Sequence, residues 1–318
     1  MFIPIILIAF GFIALVLAAN WLVDGSSALA RKYNVSDLVI GLTIVAFGTS
    51  APELVVSIIA STNNHSDLVL GNIIGSNNFN LFIILGLSGM LFPISVKSST
   101  AWREIPISLI ITILLLLIAN GFGSPKGAYI GRLDGIILLT LFFVFLYYVF
   151  TQIKKENNSP TQNSTYSALK MWSLITIGLL GLILGGQLVV TNSVKMANHL
   201  GISEKIIGLT IVAAGTSLPE LVTSIVAAVK KNSDIAVGNV IGSNVFNILL
   251  ILSVSSIIKP INFNPNFNTD LFLLTGGTAF LLLAMISGKR KTLDRWEAAI
   301  LVVVYIAYTV YLIQRIAQ

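Results

Sequence analysis

The sequence predicts an all-α integral membrane protein of ten transmembrane helices, arranged as two inverted five-helix repeats. Three observations lead to this fold class. Of the 318 residues, 55% are hydrophobic and only 10% are charged, which is far from the composition of a water-soluble domain. Ten apolar stretches approach or exceed the roughly 20 residues that a helix needs to span a bilayer. Two sequence motifs occur twice at one shared offset, which indicates duplication of a whole unit.

The predicted spans follow one another closely along the chain. The first lacks a basic leading region and is too long for a signal-peptide core, so we expect it to remain as a transmembrane helix. The ten spans cover residues 2–23, 36–63, 69–92, 104–121, 132–153, 169–198, 204–229, 235–258, 269–287 and 296–314.

One polar segment, Thr151 to Ser167, interrupts the apolar series and contains Pro160, as a linker does. It divides the chain into a first five-helix repeat at 1–153, a cytoplasmic linker at 154–168 and a second repeat at 169–318. Because each repeat has an odd number of crossings, the second repeat should be inverted relative to the first.

The distribution of Lys and Arg predicts the orientation. With the N-terminus outside, the inner side holds 13 of the 19 basic residues, and positive residues near span ends favour the cytoplasm. We therefore expect a multi-pass protein of the cytoplasmic membrane, surrounded by lipid, with both termini outside. This bias accounts for most of the net charge of +6 without a nucleic-acid partner. The inner residues are Arg31, Lys32, Lys97, Arg103, Lys154, Lys155, Lys170, Lys230, Lys231, Lys289, Arg290, Lys291 and Arg295.

The first repeated motif places one acid inside an apolar run. GLTIVAFGTSAPELVVS at 41–57 returns as GLTIVAAGTSLPELVTS at 208–224, with 14 of 17 positions identical. Glu53 and Glu220 are therefore equivalent, and both lie deep within predicted spans. An ionised carboxylate there costs about 2.5–3.5 kcal/mol on insertion scales, so such groups usually belong to ion or proton pathways. The alternative is a protonated structural glutamate bonded to a neighbouring helix, and recurrence of the acid among hydroxyl groups argues against it.

Hydroxyl groups and a proline accompany each glutamate. Thr49 and Ser50 precede Glu53 by four and three residues, so in a helix all three share one face; Thr216 and Ser217 repeat this pattern. Proline cannot donate a backbone hydrogen bond, so we expect helices 2 and 7 to be broken and to free carbonyl groups near Ala46 and Ala213. These hard oxygen ligands suit Ca²⁺ or an alkali ion and disfavour zinc or copper.

The second motif reads GNIIGSNNFN from Gly71 and GNVIGSNVFN from Gly238. In each copy a serine and an asparagine lie one helical turn apart and can direct oxygen atoms at a common point. The paired glycines have GxxxG spacing, which allows close helix approach. The first asparagine of each copy, Asn72 or Asn239, is either an outer-shell ligand or an interhelical contact, and we favour the contact. The serine and asparagine pairs are Ser76 with Asn80 and Ser243 with Asn247.

Together, the two duplicated motifs resemble the alpha repeats of the cation/calcium exchanger superfamily, most closely the compact prokaryotic sodium/calcium exchangers. The resemblance covers essentially the whole chain. It implies antiport of Ca²⁺ against Na⁺ without a cofactor, with the ions bound near the membrane midplane between helices 2, 3, 7 and 8. The ligands that it implies are Glu53, Glu220, Thr49, Ser50, Thr216, Ser217, Ser76, Asn80, Ser243, Asn247 and the carbonyl groups of Ala46 and Ala213.

One position departs from part of the superfamily. Some sodium/calcium exchangers carry an aspartate where this chain has Asn247, and potassium-dependent relatives also place an acid in the second motif. Here Asn80 and Asn247 are both neutral, which argues against potassium dependence.

Charge balance predicts how the exchange is coupled. One Ca²⁺ or two Na⁺ neutralise two carboxylates, whereas an empty ionised pair resists transfer into a low-dielectric interior. Two protons would also neutralise the pair, so a Ca²⁺/H⁺ antiporter is the alternative, and the many hydroxyl groups favour Na⁺. A channel would need a continuous pore. An enzyme would need a nucleophile beside a base, and the motifs contain no histidine or lysine. Because one chain supplies both halves of the site, a monomer suffices.

Overall fold

A computed structural model of the chain describes residues 2–95, 100–121, 128–156, 166–199, 213–286 and 292–317. These residues form helices joined by short connections. In chain order the helices are α1 (Phe2–Tyr33), α2 (Asp37–Thr49), α3 (Ala51–Thr62), α4 (Ser66–Leu91), α5 (Ile105–Ala119, after a π-helical turn at Thr100–Glu104), α6 (Arg132–Glu156), α7 (Ala168–His199), α8 (Ala213–Thr216), α9 (Leu218–Val229), α10 (Ser233–Ile258), α11 (Asn268–Ile286) and α12 (Arg295–Ala317).

The described helices agree with an all-α membrane protein. Eight of them are long and apolar enough to cross a bilayer, and the bent pair α2 and α3 can form a ninth span. The first part of the predicted seventh span, residues 204–212, lies outside the described residues, as does most of the predicted linker. Helix α1 continues to Tyr33, ten residues past its predicted end. Its last turns are held by protein contacts, since Lys230 Nζ lies 2.7 Å from Asp24 Oδ1.

Helix 2 is broken where the proline predicts it. Helices α2 and α3 meet at an angle of 47°, and Ser50 between them has φ −81° and ψ 6°. Pro52 is then the second residue of α3, a first-turn position where a backbone N–H would have no partner within that helix. The described part of helix 7 shows the same interruption between α8 and α9, at Ser217 with φ −89° and ψ 8°.

Helix α10 lies at the centre of the molecule, where every residue from Ile235 to Phe246 is buried. Glycines bring it into backbone contact with α2: a Cβ on Gly238 would lie 3.0 Å from Gly41 Cα, and a Cβ on Gly242 would lie 2.9 Å from Leu42 Cα. The GxxxG interpretation is therefore confirmed for this copy. The equivalent partners of the other copy, residues 208 and 209, lie outside the described residues.

Helices α1 and α7 pack along each other. A Cβ on Gly178 of α7 would lie 2.8 Å from the Leu22 nitrogen of α1. On another side of α7, Leu179 fills the space above Gly48, where an added Cβ would come within 2.2 Å of its side chain. Val190 fills the space above Gly215 in the same way. Helix α7 thus lies against the glycine that precedes each helix break.

Two short antiparallel strand pairs join loops at the two ends of the helix bundle. They were not predicted, because two-residue strands leave no periodic pattern in the sequence. Strand β1 (Ile94–Ser95) pairs with β4 (Thr292–Leu293), and β2 (Tyr129–Ile130) pairs with β3 (Ile261–Asn262).

The turn before α4 and the turn before α10 lie at different ends of the bundle. Ser66 Oγ, at the start of α4, accepts a hydrogen bond from the Asn262 nitrogen of β3 at 3.3 Å. Strand β3 follows α10, so the first turn lies beside the C-terminal end of that helix. The second turn, at Lys230 to Asn232, lies at the other end of α10, about 39 Å away for 26 residues.

The glycine contact between α10 and α2 predicts a stability difference. Gly242→Ala should destabilise the protein by about 1–3 kcal/mol, because the new methyl group would collide with Leu42 backbone atoms that cannot move aside alone. Gly276→Ala is the matched control, since no described atom lies within 4 Å of its added Cβ. Thermal unfolding of the detergent-solubilised variants measures both. Equal melting temperatures would contradict this account of the helix crossing.

Candidate cation site

The two helix breaks face each other and exchange hydrogen bonds. Ser217 Oγ donates to Glu53 Oε1 at 2.9 Å, and Ser50 Oγ donates to Glu220 Oε1 at 2.9 Å. The sequence placed Ser50 on the same helix face as Glu53 of its own repeat and named no hydrogen-bond partner for it. The helix is interrupted at the serine itself, so the face is not continuous, and each serine instead binds the carboxylate of the other repeat.

Helices α4 and α10 supply a second serine to each carboxylate. Ser76 Oγ lies 3.4 Å from Glu53 Oε1 and 3.1 Å from Ser217 Oγ. Ser243 Oγ lies 3.5 Å from Glu220 Oε1. The first carboxylate oxygen of each glutamate is therefore surrounded by hydroxyl groups from two different helices.

Asn80 and Asn247 are held by two residues that the sequence interpretation did not select. Asn80 Nδ2 donates to Asn244 Oδ1 at 3.1 Å, and Asn247 Nδ2 donates to Asn77 Oδ1 at 2.9 Å. Asn77 and Asn244 recur at the same offset as the other site residues, so the duplication itself was an available signal. Asn77 and Asn244 directly follow the serine of each copy and so do not lie one helical turn from it, which is the spacing that singled out Asn80 and Asn247.

The helices widen beside these amides. Helix α4 is π-helical over Phe79–Ile84, and α10 is π-helical over Asn247–Ile251. A π-helical turn contains an extra residue, which redirects side chains, and such turns are frequent at functional sites.

Four buried oxygen atoms of the site have no hydrogen-bond donor among the described residues. They are the second carboxylate oxygen of each glutamate and the amide oxygen of each partner asparagine, namely Glu53 Oε2, Glu220 Oε2, Asn80 Oδ1 and Asn247 Oδ1. Buried acceptors without a donor are costly. Oxygen atoms of these types are the ligands that Ca²⁺ takes in proteins, so each of the four is a candidate cation ligand.

The other predicted ligands have different surroundings. Thr49 Oγ1 lies 3.0 Å from Asn239 Oδ1, and Thr216 lies at the end of α8 beside the break. The carbonyl group of Ala46 was expected to be freed by the break, and this is wrong, because it accepts a helical hydrogen bond from the Ser50 nitrogen at 3.0 Å. Ala213 is the first residue of α8.

Asn72 and Asn239 hydrogen-bond to the glutamate-bearing helices. Asn72 Nδ2 donates to the backbone carbonyl of Glu53 at 3.1 Å and to Ser57 Oγ at 2.8 Å. Asn239 Nδ2 makes the same two contacts in the second copy, with Glu220 and Ser224. Their interpretation as interhelical contacts is confirmed.

A cavity of about 390 Å³ lies between α7 and the two breaks. Pro52, Pro219 and Thr216 line one wall, and Gln187 and Val190 of α7 line the other. Space is therefore present directly beside both proline-broken segments.

The fold and the site define a multi-pass helical membrane protein of the ion-transporter class. A family model described as sodium/calcium exchanger protein matches residues 3–151 and 170–314. The chain belongs to this family. The resemblance drawn from the duplicated motifs is thereby confirmed.

Relatives that match nearly the whole chain agree with this assignment. CaxA of Alkalimonas amylolytica is 37% identical over 97% of this chain and 98% of its own length. MaX1 of Methanosarcina acetivorans, named a sodium/calcium exchanger, is 33% identical over 96% of this chain and 97% of its own length.

A solved structure shows the same fold. The sodium-calcium exchanger NCX_Mj, soaked with 2.5 mM Na⁺ and 0.1 mM Ca²⁺, matches with a TM-score of 0.84 at 34% identity, covering 97% of this chain and 98% of that chain. Family and structural match support a cation/Ca²⁺ antiporter, and these relatives are transporters rather than enzymes.

The site predicts how Ca²⁺ changes thermal stability. Glu53→Gln and Glu220→Gln should each leave the ion-free protein at least as stable as the wild type, because one of two neighbouring buried charges is removed. Ca²⁺ should raise the melting temperature of the wild type, by the equivalent of about 2.7 kcal/mol at 100 times its Kd, and should not raise that of either variant. Melting curves with and without Ca²⁺ measure this difference.

Glu104→Gln is the control for that experiment, because Glu104 is another buried glutamate, bonded to Tyr148 rather than to the site. It should keep the Ca²⁺-dependent shift. A full shift in Glu53→Gln would show that the carboxylate does not bind the ion.

Proposed function

We propose that the protein exchanges Ca²⁺ for Na⁺ across the cytoplasmic membrane by alternating access. The observation that carries this proposal is a set of four buried oxygen atoms without a donor among the described residues, two from carboxylates and two from amides, on the helices joined by the hydrogen bonds of the site. Family membership and the likeness to NCX_Mj support the same conclusion.

Charge neutralisation couples the two ion fluxes in this proposal. Moving an ion of carboxylate size into low dielectric costs of order 20 kcal/mol in the idealised limit, and several kcal/mol per ion remain after relaxation. The empty pair of ionised glutamates therefore resists occlusion. One Ca²⁺ or two Na⁺ remove the net charge, so only a loaded site passes between the outward and inward states.

The amide oxygen atoms favour Na⁺ over H⁺ as the counter-ion. A proton carrier needs only the two carboxylates, whereas an alkali ion needs several neutral oxygen ligands as well. Asn80 and Asn247 each offer such an oxygen, and serine hydroxyl groups lie beside the two carboxylates. Ca²⁺/H⁺ exchange is the competing outcome of the transport experiment below.

We also propose that the two halves are inverted repeats of five helices, with both termini outside and the ligand set predicted from the sequence except the carbonyl group of Ala46. Contacts at the site support this arrangement, because each serine–glutamate bond recurs with the repeats exchanged. The positions of the two equivalent turns at different ends of α10 support it as well. Since both halves of the site come from one chain, a monomer can carry out the whole cycle.

Transport in proteoliposomes tests the counter-ion. With pH equal on both sides, an outwardly directed Na⁺ gradient should drive ⁴⁵Ca²⁺ uptake, and a pH gradient without Na⁺ should not. Glu53→Gln and Glu220→Gln should each lower the uptake rate by more than about 100-fold, the upper figure for losing only an outer-shell partner of a metal site. Glu104→Gln should retain uptake.

Uptake driven only by the pH gradient would instead show Ca²⁺/H⁺ exchange. Uptake that follows the Ca²⁺ gradient and ignores both counter-ions would identify a channel.

Cysteine labelling tests the inverted arrangement. The chain has no cysteine, and Asn64 and Lys231 occupy equivalent exposed turns with φ of 62° and 58°. In intact cells a membrane-impermeant maleimide should label Asn64→Cys and should label Lys231→Cys only after permeabilisation. Labelling of both from one side would contradict inversion, and the reverse pattern would contradict the proposed orientation.

A further inference from the structure

Asn77 and Asn244 form a reciprocal contact at the centre of the molecule. Asn77 Nδ2 donates to the backbone carbonyl of Asn244 at 3.3 Å, and Asn244 Nδ2 donates to the backbone carbonyl of Asn77 at 3.3 Å. Both side chains are buried, and the two residues are equivalent positions of the duplicated motif. The contact therefore joins α4 to α10 symmetrically.

These bonds determine which way each amide is turned. An asparagine side chain can rotate by 180° with little change in shape, which exchanges its oxygen with its NH₂ group. A backbone carbonyl only accepts hydrogen bonds, so the NH₂ group of Asn77 must face Asn244. The oxygen of Asn77 then faces the opposite way, where it accepts from Asn247 Nδ2 at 2.9 Å.

The orientation is passed on to the next amide. Asn247 must turn its NH₂ group toward Asn77, so its own oxygen faces away from that bond and has no described donor. Asn244 fixes Asn80 through the equivalent bond of 3.1 Å. Each sequence of bonds begins at a backbone carbonyl, which cannot be turned over, and ends at a buried amide oxygen of the site.

We propose that Asn77 and Asn244 are positioning residues that hold the amide oxygens of Asn247 and Asn80, respectively, toward the transported cation. This inference rests on the proposed function, because it requires a cation between the glutamates. Without this support either amide could turn and present its NH₂ group, a donor that repels a cation.

Each positioning residue acts on the asparagine of the other motif copy, Asn77 on Asn247 and Asn244 on Asn80. This specificity can be tested. A carboxylate in place of an amide has two equivalent acceptor oxygens and needs no orientation. Asn77 should therefore lose its importance when Asn247 is replaced by aspartate, and keep it when Asn80 is replaced. A residue that merely held α4 against α10 would matter equally in both backgrounds.

The experiment measures equilibrium ⁴⁵Ca²⁺ binding to the purified full-length protein, with the ion-free melting temperature as a check on folding. Asn77→Ala should raise the Kd for Ca²⁺ by about 10-fold or more in the wild-type and Asn80→Asp backgrounds, as loss of an outer-shell partner does. In the Asn247→Asp background Asn77→Ala should not raise the Kd by more than about twofold, the scatter of uncoupled sites. Should Asn77→Ala fail to fold, Asn244→Ala with the two backgrounds exchanged tests the same point.

Equal Kd changes in both aspartate backgrounds, or an unchanged Kd throughout, would overturn the proposal. Binding also separates this proposal from the transport assignment. Wild-type protein that binds Ca²⁺ but shows no Na⁺-driven uptake would remove the counter-ion assignment and leave the positioning role to be judged on Kd alone. Wild-type protein that binds no Ca²⁺ would overturn both.

Discussion

Two carboxylates buried within a membrane-spanning bundle need a hydrogen-bond donor or a cation at every oxygen. The structure supplies donors to one oxygen of each glutamate, and the other oxygen has no donor among the described residues. The shorter serine hydrogen bond to each glutamate comes from the opposite repeat, so Glu53 depends on the second helix break and Glu220 on the first. This crossing explains why the serine, the proline break and the glutamate occur together in both copies.

The short reach of serine makes close helix approach necessary. A hydroxyl group on one β-carbon contacts a carboxylate only if the backbones that carry them lie near each other. The glycines of α10 allow this, because Gly238 and Gly242 bring its backbone against that of α2. The asparagines behind the breaks, Asn72 and Asn239, then fix the backbone of each glutamate. The hydrogen bonds to the carboxylates therefore depend on close packing of the helices.

Local signals in the sequence were enough to predict the apolar spans, the broken second helix and the duplicated acids. The shared offset of 167 residues between Glu53 and Glu220 identified equivalent positions without any knowledge of contacts. The hydrogen-bond partners across the repeats were not predicted: Ser50 was placed on one helix face with Glu53, because the helical face was assumed to continue through the break. Contacts between repeats depend on tertiary arrangement, and no local pattern encodes them.

The remaining differences have similar causes. The carbonyl group of Ala46 was expected to be free, but the proline removes the bond to Gly48 and leaves the bond from Ser50 to Ala46 intact. The π-helical turn that begins at Asn247 was not predicted, because no residue pattern in the sequence indicates the extra residue. Asn77 and Asn244 recur in the two copies of the second motif. What distinguishes them in the structure is that each side chain bonds to the backbone carbonyl of the other residue. Hydrogen bonding, rather than residue type, distinguishes them from other buried asparagines.

In the proposed site, the neutral amides of Asn80 and Asn247 make side-chain orientation matter. With carboxylates there, the site would hold up to four negative charges, and one Ca²⁺ would leave it charged and costly to enclose. With amides, the two glutamates present only the charge that one Ca²⁺ neutralises. The amides then contribute through a dipole, and a dipole helps a cation only when its oxygen end faces the ion. A site with amides in place of carboxylates therefore needs hydrogen bonds that fix the orientation of each amide. The reciprocal bonds of Asn77 and Asn244 have the geometry to do so.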